Sequence, residues 1–301
     1  MTTQKADDET PILPGLLSDP TKILRDDERI DRRLIEALAP FELDGLPADP
    51  PVDHSSNIEE LLTFCSDVEN GFEAFFETIF STVKPIEGIE RTTETLKGED
   101  GHDITLYVHR PENVSKDIPC VYHLHGGGMV MLQAKKPAYA HWRDCLSATG
   151  MVVVGVEFRN GAGVLGNHPF PAGLDDCMSG LDWVHANKSS LGVSKIVVSG
   201  ESGGGNLSLA LTLRAKKEQK LNQIQGTYAL CPYIYGAYGI KTKVLPSLYE
   251  NDGYFLLVKT IGALAAVYDP EGKNERNPLC WPYHATIEDL KGLPPHVISV
   301  N

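Results

Sequence analysis

Between residues 118 and 231 the chain alternates short apolar, largely β-branched runs with longer stretches whose apolar positions recur every three or four residues. The runs "IPCVYHLH" (118–125), "MVVVGVEF" (151–158), "SKIVVS" (194–199) and "IQGTYALC" (224–231) predict strands buried on both faces. Stretches near 137–149, 172–187 and 204–217 predict helices between them. Such alternation predicts an α/β fold with a mostly parallel central sheet and flanking helices. Just ahead of it, "GIERTTETL" and "HDITLYVHRP" around "KGEDG" predict a hairpin.

The first 85 residues have a different texture. Residues 1–20, with "PILPGLLSDP", are too rich in Pro and Gly for a helix and read as an extended lead-in. Ile30, Leu34 and Leu38 space a helix over 26–38. After the break "FELDGLPADPPVDHSS", Ser56 or Asn57 caps a second helical stretch reaching Phe80, in one piece or two. Both stretches are amphipathic and carry no catalytic constellation, so they are expected to cover another part of the molecule. Residues 232–275, rich in Tyr and Gly, interrupt the later alternation and read as a mainly helical insertion over the carboxyl edge of the sheet. The alternation resumes with "LPPHVISVN", whose "HVISV" has the texture of a central buried strand. A chain seldom ends inside such a strand, so the sequence is expected to be part of a longer protein.

Composition narrows the function classes. With 42% hydrophobic residues in 301, the chain can bury a large core. Its 41 acidic against 27 basic residues give a formal charge of −14, which argues against nucleic acid or an anionic membrane as partner. The polar, acidic "MTTQKADDET" lacks the apolar core of a signal peptide, and no run approaches the roughly 18 apolar residues of a span. A cytoplasmic location is therefore expected. The six cysteines (65, 120, 145, 177, 231 and 280) have no paired spacing and read as buried free thiols. No Cys/His cluster has ligand spacing, so neither a metal nor another cofactor is expected.

The candidate chemistry lies in "KIVVSGESGGGNLSLAL" (195–211). A serine hydroxyl becomes an effective nucleophile when a base takes its proton and donors stabilise the oxyanion. A tight strand-to-helix turn lifts the hydroxyl of Ser202 above the sheet, and crowding there demands small residues two positions either side, which Gly200 and Gly204 supply. Gly203 then opens a helix with its N–H free for an oxyanion. Upstream, "YHLHGGGMV" (122–130) ends a strand with a loop able to turn the N–H groups of Gly127 and Gly128 toward the same point. His125 precedes those glycines and is read as orienting the loop; His123 is read as structural. Asp175 and Asp176 invite a general acid/base reading, but they fall in the first turn of a helix, where carboxylates suit the dipole and can tie neighbouring loops.

Together "HGGG", "FRN…HPFPAGLDDC", "GESGGGN" and "LPP" before a strand resemble the hormone-sensitive-lipase-like branch of the α/β-hydrolases, over roughly residues 85–301. Glu201 and Gly203 depart from the usual G-D-S-A-G-G-N, and "FRNGAGVLGNHPFP" replaces Y-R-L-A-P-E-H-P-F-P; the elbow is left intact. The resemblance implies an α/β-hydrolase fold divided into an N-terminal helical cap segment (1–85), a core (86–231), a cap insertion (232–276) and a core continuation (277–301). It implies the triad order Ser, Asp or Glu, His. The acid would stand after "HVISV" and the histidine beyond a further strand, so the triad Asp and His, with the last strand and helix, are expected outside this sequence. His284, His296, Asp252, Asp269 and Asp289 are assigned to neither role. The implied activity is that of a serine carboxylesterase, acting on a small-molecule carboxylic ester, open-chain or cyclic, through an acyl-enzyme. Without base and acid these 301 residues alone are expected to turn over little. Amidase, peptidase or thioesterase chemistry would use the same elbow, and a non-hydrolytic small-molecule binding protein is the alternative on the same fold. Phe72, Phe75, Phe76, Tyr233 and Tyr235 are aromatic candidates for pocket or core. The sequence does not fix an oligomeric state.

Overall fold

The computed structural model describes residues 16, 19, 21–114, 117–240 and 245–300. The lead-in expected over residues 1–20 lies almost wholly outside them. The described strands are β1 (Ile89–Lys97), β2 (Asp103–Pro111), β3 (Ile118–Leu124), β4 (Val152–Glu157), β5 (Val193–Glu201), β6 (Gly226–Leu230) and β7 (His296–Ser299). They form one sheet in the order β1-β2-β4-β3-β5-β6-β7. β1 and β2 make the expected hairpin, β2 runs antiparallel to β4, and every pairing from β4 to β7 is parallel.

The helices are α1 (Arg32–Leu38), α2 (Ile58–Phe80), α3 (Pro137–Ser147), α4 (Ala172–Ala186), α5 (Lys188–Leu191), α6 (Gly203–Lys217), α7 (Val258–Tyr268) and α8 (Ile287–Leu290). β4, "VVVGVE", is buried at every position but its last, as a strand covered on both faces should be. α6 is buried nearly all round. Its hydroxyls are satisfied within the helix: Ser208 Oγ donates to Gly204 O at 2.8 Å and Thr212 Oγ1 to Ser208 O at 2.9 Å.

The N-terminal helices differ in part from expectation. The first is shorter than 26–38, because Asp31 accepts the Arg33 N–H as N-cap and starts α1 there. Asp27, read as helical, is instead fully buried in the turn before it. α2 is one helix. Asn57 caps it by accepting the Glu60 N–H at 3.0 Å, Glu59 and Glu60 suit its positive end, and Leu61, Cys65 and Glu69 form its buried stripe.

Two further readings need correction. The insertion is mostly irregular, with α7 and a 3-10 turn at Pro246–Leu248 as its helical parts up to Tyr268; its Gly and Pro content favours turns, and residues 241–244 lie outside the described residues. Cys231 is exposed and Cys145 only half-buried, whereas Cys65, Cys120, Cys177 and Cys280 are buried free thiols. β7, read as a core strand with more chain expected to follow, is the last strand of the described sheet, where Val297 is 59% and Ile298 55% exposed.

The N-terminal segment packs against the insertion. Tyr254 Oη donates to Asp27 Oδ2 at 2.8 Å, Lys259 Nζ reaches Asp49 at 2.5 Å, and the Phe72 and Phe255 rings are 6.5 Å apart. Asp176 ties loops as expected, accepting the Arg159 N–H and standing 2.9 Å from His102 Nε2, while Asp175 pairs with Arg214.

Candidate active site

Ser202 sits in the junction between β5 and α6 with φ 52° and ψ −115°, a conformation that an L-residue keeps only where its surroundings over-determine it. The surroundings do so. Its N–H donates to Leu230 O at 2.9 Å, and its own carbonyl accepts from Asn206 N and Tyr233 N, both at 3.0 Å. Small residues are imposed by contact. A Cβ on Gly200 would lie 2.6 Å from Leu124 O, and one on Gly204 would lie 2.6 Å from His125 O.

Gly203 faces the glycine loop that follows β3. A Cβ there would lie 2.5 Å from Met129 N and 2.7 Å from Gly128 N, so the loop's amides come directly against the start of α6. Gly127 has φ 100°, and its carbonyl accepts from Val130 N and Met131 N, closing the loop on itself. Among the described residues, the N–H groups of Gly127, Gly128 and Gly203 bond to no acceptor. That arrangement leaves donors beside Ser202 for an anionic oxygen.

His125 is buried and stacks on Phe158, ring centroids 4.2 Å apart. Its Nδ1 lies 2.7 Å from Gly126 O; a carbonyl only accepts, so the proton is on Nδ1. Burial lowers the His125 pKa and keeps the ring neutral. Sequence reasoning left Glu201 without a role. Glu201 Oε1 accepts the Gly126 N–H at 2.6 Å, and Oε2 lies 3.1 Å from His123 Nε2. Burial pushes the Glu201 pKa up, but His123 and the Gly126 N–H outweigh it and hold the carboxyl below its ordinary value. The elbow and the loop are therefore joined through the residue preceding the serine.

The other acids and histidines have local tasks. Asp252 accepts the Val258 N–H, Asp269 accepts from Asn274, and Asp289 forms a capping box with Thr286. His296 Nδ1 donates to Pro294 O at 2.6 Å, and His284 packs among Tyr235 and Tyr283. A histidine–carboxylate pair does exist elsewhere: His109 Nδ1 lies 2.7 Å from Asp144 Oδ1. Its Nε2 accepts the Arg143 Nε–H at 3.2 Å, so the lone pair a base would need is taken. Burial, with Arg143 beside it, lowers the His109 pKa to about 4. No group of three or more His, Cys, Asp or Glu gathers as a metal site among the described residues.

Of the aromatic candidates, Tyr233 is buried and donates to Ile261 O at 2.7 Å. Phe72 and Phe76 stack at 6.0 Å, and Phe75 packs edge-on against Phe41 at 4.7 Å. Tyr235 lines a cleft of about 330 Å³ with Tyr238, Trp281, Asp269 and His284; Ser202 is not in its wall.

The model of a family described as having the alpha/beta hydrolase fold matches residues 121–301. Among solved structures, the chain is similar to brefeldin A esterase, described as a bacterial homologue of human hormone sensitive lipase: 42% identity, 96% of this chain and 81% of that one, TM-score 0.92. It is also similar to esterase Est22 in a structure with p-nitrophenol, at 36% identity over 92% of this chain and 82% of that one, TM-score 0.80. Carboxylesterase NlhH of Mycobacterium tuberculosis is 33% identical over 219 residues, 69% of this chain and 64% of that protein. Tuliposide A-converting enzyme b1 of Tulipa gesneriana is 30% identical over 149 residues, 46% of this chain and 38% of that protein. The matches thus span less than two thirds of the length of these curated relatives. The parallel sheet, the serine turn between β5 and α6 and the extent of these matches agree: the chain belongs to the family with the alpha/beta hydrolase fold.

Proposed function

We propose that the protein is a serine carboxylesterase of the hormone-sensitive-lipase-like branch and that Ser202 is its nucleophile. The observation that carries this reading is the strained Ser202 at the β5–α6 turn, with Gly203 against the amides of the 126–129 loop. The Ser202 hydroxyl oxygen would add to the ester carbonyl carbon, its proton passing to a general base. The carbonyl π pair then moves onto oxygen, and the N–H groups of Gly127, Gly128 and Gly203 hold that oxyanion. Collapse expels the alkoxide, which takes up the proton, and leaves an acyl-enzyme. Water adds by the same route and releases the acid. None of these steps draws on a cofactor, and base and acid are assigned to none of the 301 residues. His125 acts on loop orientation, through its bond to Gly126 O.

The N-terminal segment up to residue 85 and the 232–276 insertion form a cap in this reading. Support comes from the Tyr254–Asp27 bond between them and from Leu264 of α7, whose Cδ1 would lie 2.8 Å from a Cβ on Gly128. The substrate is a small carboxylic ester, open-chain or cyclic, as the names of the similar esterases suggest. A cytoplasmic location fits the acidic sequence; no helix among the described residues is long and apolar enough to cross a membrane. Hydrolysis of short p-nitrophenyl esters by the native protein and by Ser202→Ala tests the reading. Loss of turnover in the variant is expected, and equal rates would sink the assignment.

A further inference from the structure

The stretch "FRNGAGVLGNHPFP" after β4, together with one buried acid of α2, has no part in the chemistry proposed above. Glu69 is 1% exposed, yet both of its carboxylate oxygens are used. Oε1 accepts the N–H of Leu132 at 2.7 Å and Oε2 the N–H of Val164, also at 2.7 Å. Leu132 ends the far arm of the glycine loop and has φ 78°, and Met129 within that loop has φ 62°. Backbone in this region costs an L-residue energy and persists only when held from outside. The 160–164 loop supplies part of that hold. Asn160 Nδ2 donates to Leu132 O at 2.7 Å, Gly161 N to Met129 O at 3.0 Å and Ala162 N to Val130 O at 2.8 Å. Gly163 has φ 66°, and a Cβ on it would overlap Glu69 Oε2, so the loop leaves the space the carboxylate occupies.

We infer that Glu69 is a positioning residue: from the N-terminal helix it clamps the 129–132 arm and the 160–164 loop together, and so fixes the conformation in which the Gly127 and Gly128 N–H groups face Ser202. Glu201 holds the near arm through Gly126, and Glu69 holds the far arm through Leu132. A buried carboxylate that loses its donors is costly, so the two partners keep each other in place. Glu69 touches no reacting atom. The inference rests on Ser202 chemistry for its kinetic consequence, but not for its structural one.

Glu69→Ala and Glu69→Gln in the full native protein test it, by backbone amide exchange and by p-nitrophenyl acetate kinetics. In Glu69→Ala, exchange over 127–132 should quicken by about ten-fold or more while β4 and β5 keep their protection. The kcat should fall by about ten- to a hundred-fold with KM within about two-fold, because the donors are displaced while the pocket is not. Glu69→Gln is isosteric and keeps one acceptor oxygen, so it carries the test if the alanine variant does not fold. Exchange should then rise over 127–132 or over 161–166, and kcat should lie between the other two proteins. Unchanged exchange in both segments, or equal quickening throughout the sheet, overturns the clamp. If Ser202→Ala hydrolyses as fast as the parent, the esterase reading fails while the exchange measurements still decide on Glu69.

Discussion

Glu201 Oε1 accepts the backbone N–H of Gly126 at 2.6 Å, so the residue before the serine fixes the residue after His125 across 75 positions of sequence. Glu201→Ala should release Gly126 and lower kcat by about a hundred-fold, with KM changed little. Glu201→Gln keeps an acceptor for that N–H and should stay within about ten-fold of the parent. Steady-state kinetics on a short p-nitrophenyl ester distinguish the two; equal losses would mean that the charge, not the acceptor, matters.

Gly204→Ala would press a methyl group against the carbonyl oxygens of Leu124 and His125, which are backbone and cannot rotate away. A destabilisation of about 3 kcal/mol is expected. The urea midpoint measures it, and a variant within about 0.5 kcal/mol of the parent would contradict the contact.

Stability should fall on mild acidification, and His109 gives the sign. Its folded pKa is about 4, below the ordinary 6.5, so the unfolded chain binds the proton more readily. The contribution is full above pH 6.5 and is lost as pH drops from there toward 4. Burial lowers the His125 pKa as well, which acts in the same direction. Between pH 7 and pH 4.5 a loss of about 2 kcal/mol is expected from His109. His109→Gln should flatten that slope in urea titrations at the two pH values, whatever its own stability.

Asp27 joins the N-terminal segment to the insertion, since it accepts from Tyr254 Oη and from Arg29. Tyr254→Phe should cost about 1 kcal/mol and leave kcat unchanged. If the two segments form a cap, Asp27→Ala should raise KM for long-chain esters more than for acetate. A chain-length series of p-nitrophenyl esters gives the answer, and a uniform KM change would argue against the cap.

The parts of the fold that depend on local pattern were legible in the sequence. "KIVVS" before Ser202 and "NLSLAL" after it mark a strand and a helix by their own composition, and the glycines mark the turn between them. The loop after β3 was legible for the same reason. What was not legible depends on which elements become neighbours. Glu69 and Leu132 lie 63 residues apart, and His109 and Asp144 lie 35 apart; no periodicity links such pairs. The interruption of the alternation over 232–275 predicts a mainly helical insertion, yet its helix is confined to α7 and short turns. "HVISV" has the composition of a buried strand, but burial depends on neighbours, and among the described residues β7 has one on its inner side alone.

The packing of the serine turn also says where this motif is free to vary. Gly200 and Gly204 are held by the end of β3, and Gly203 by Gly128 and Met129, so three of the five motif positions admit no added carbon without backbone movement. Ser202 is held in its dihedral angles by the bonds of its N–H and carbonyl. Position 201 is the one of the five whose side chain reaches out of the turn, to the N–H of Gly126. Because that side chain ends on Gly126, a change of length at this one position would act on the loop opposite the serine while the packing of the turn itself stays as it is.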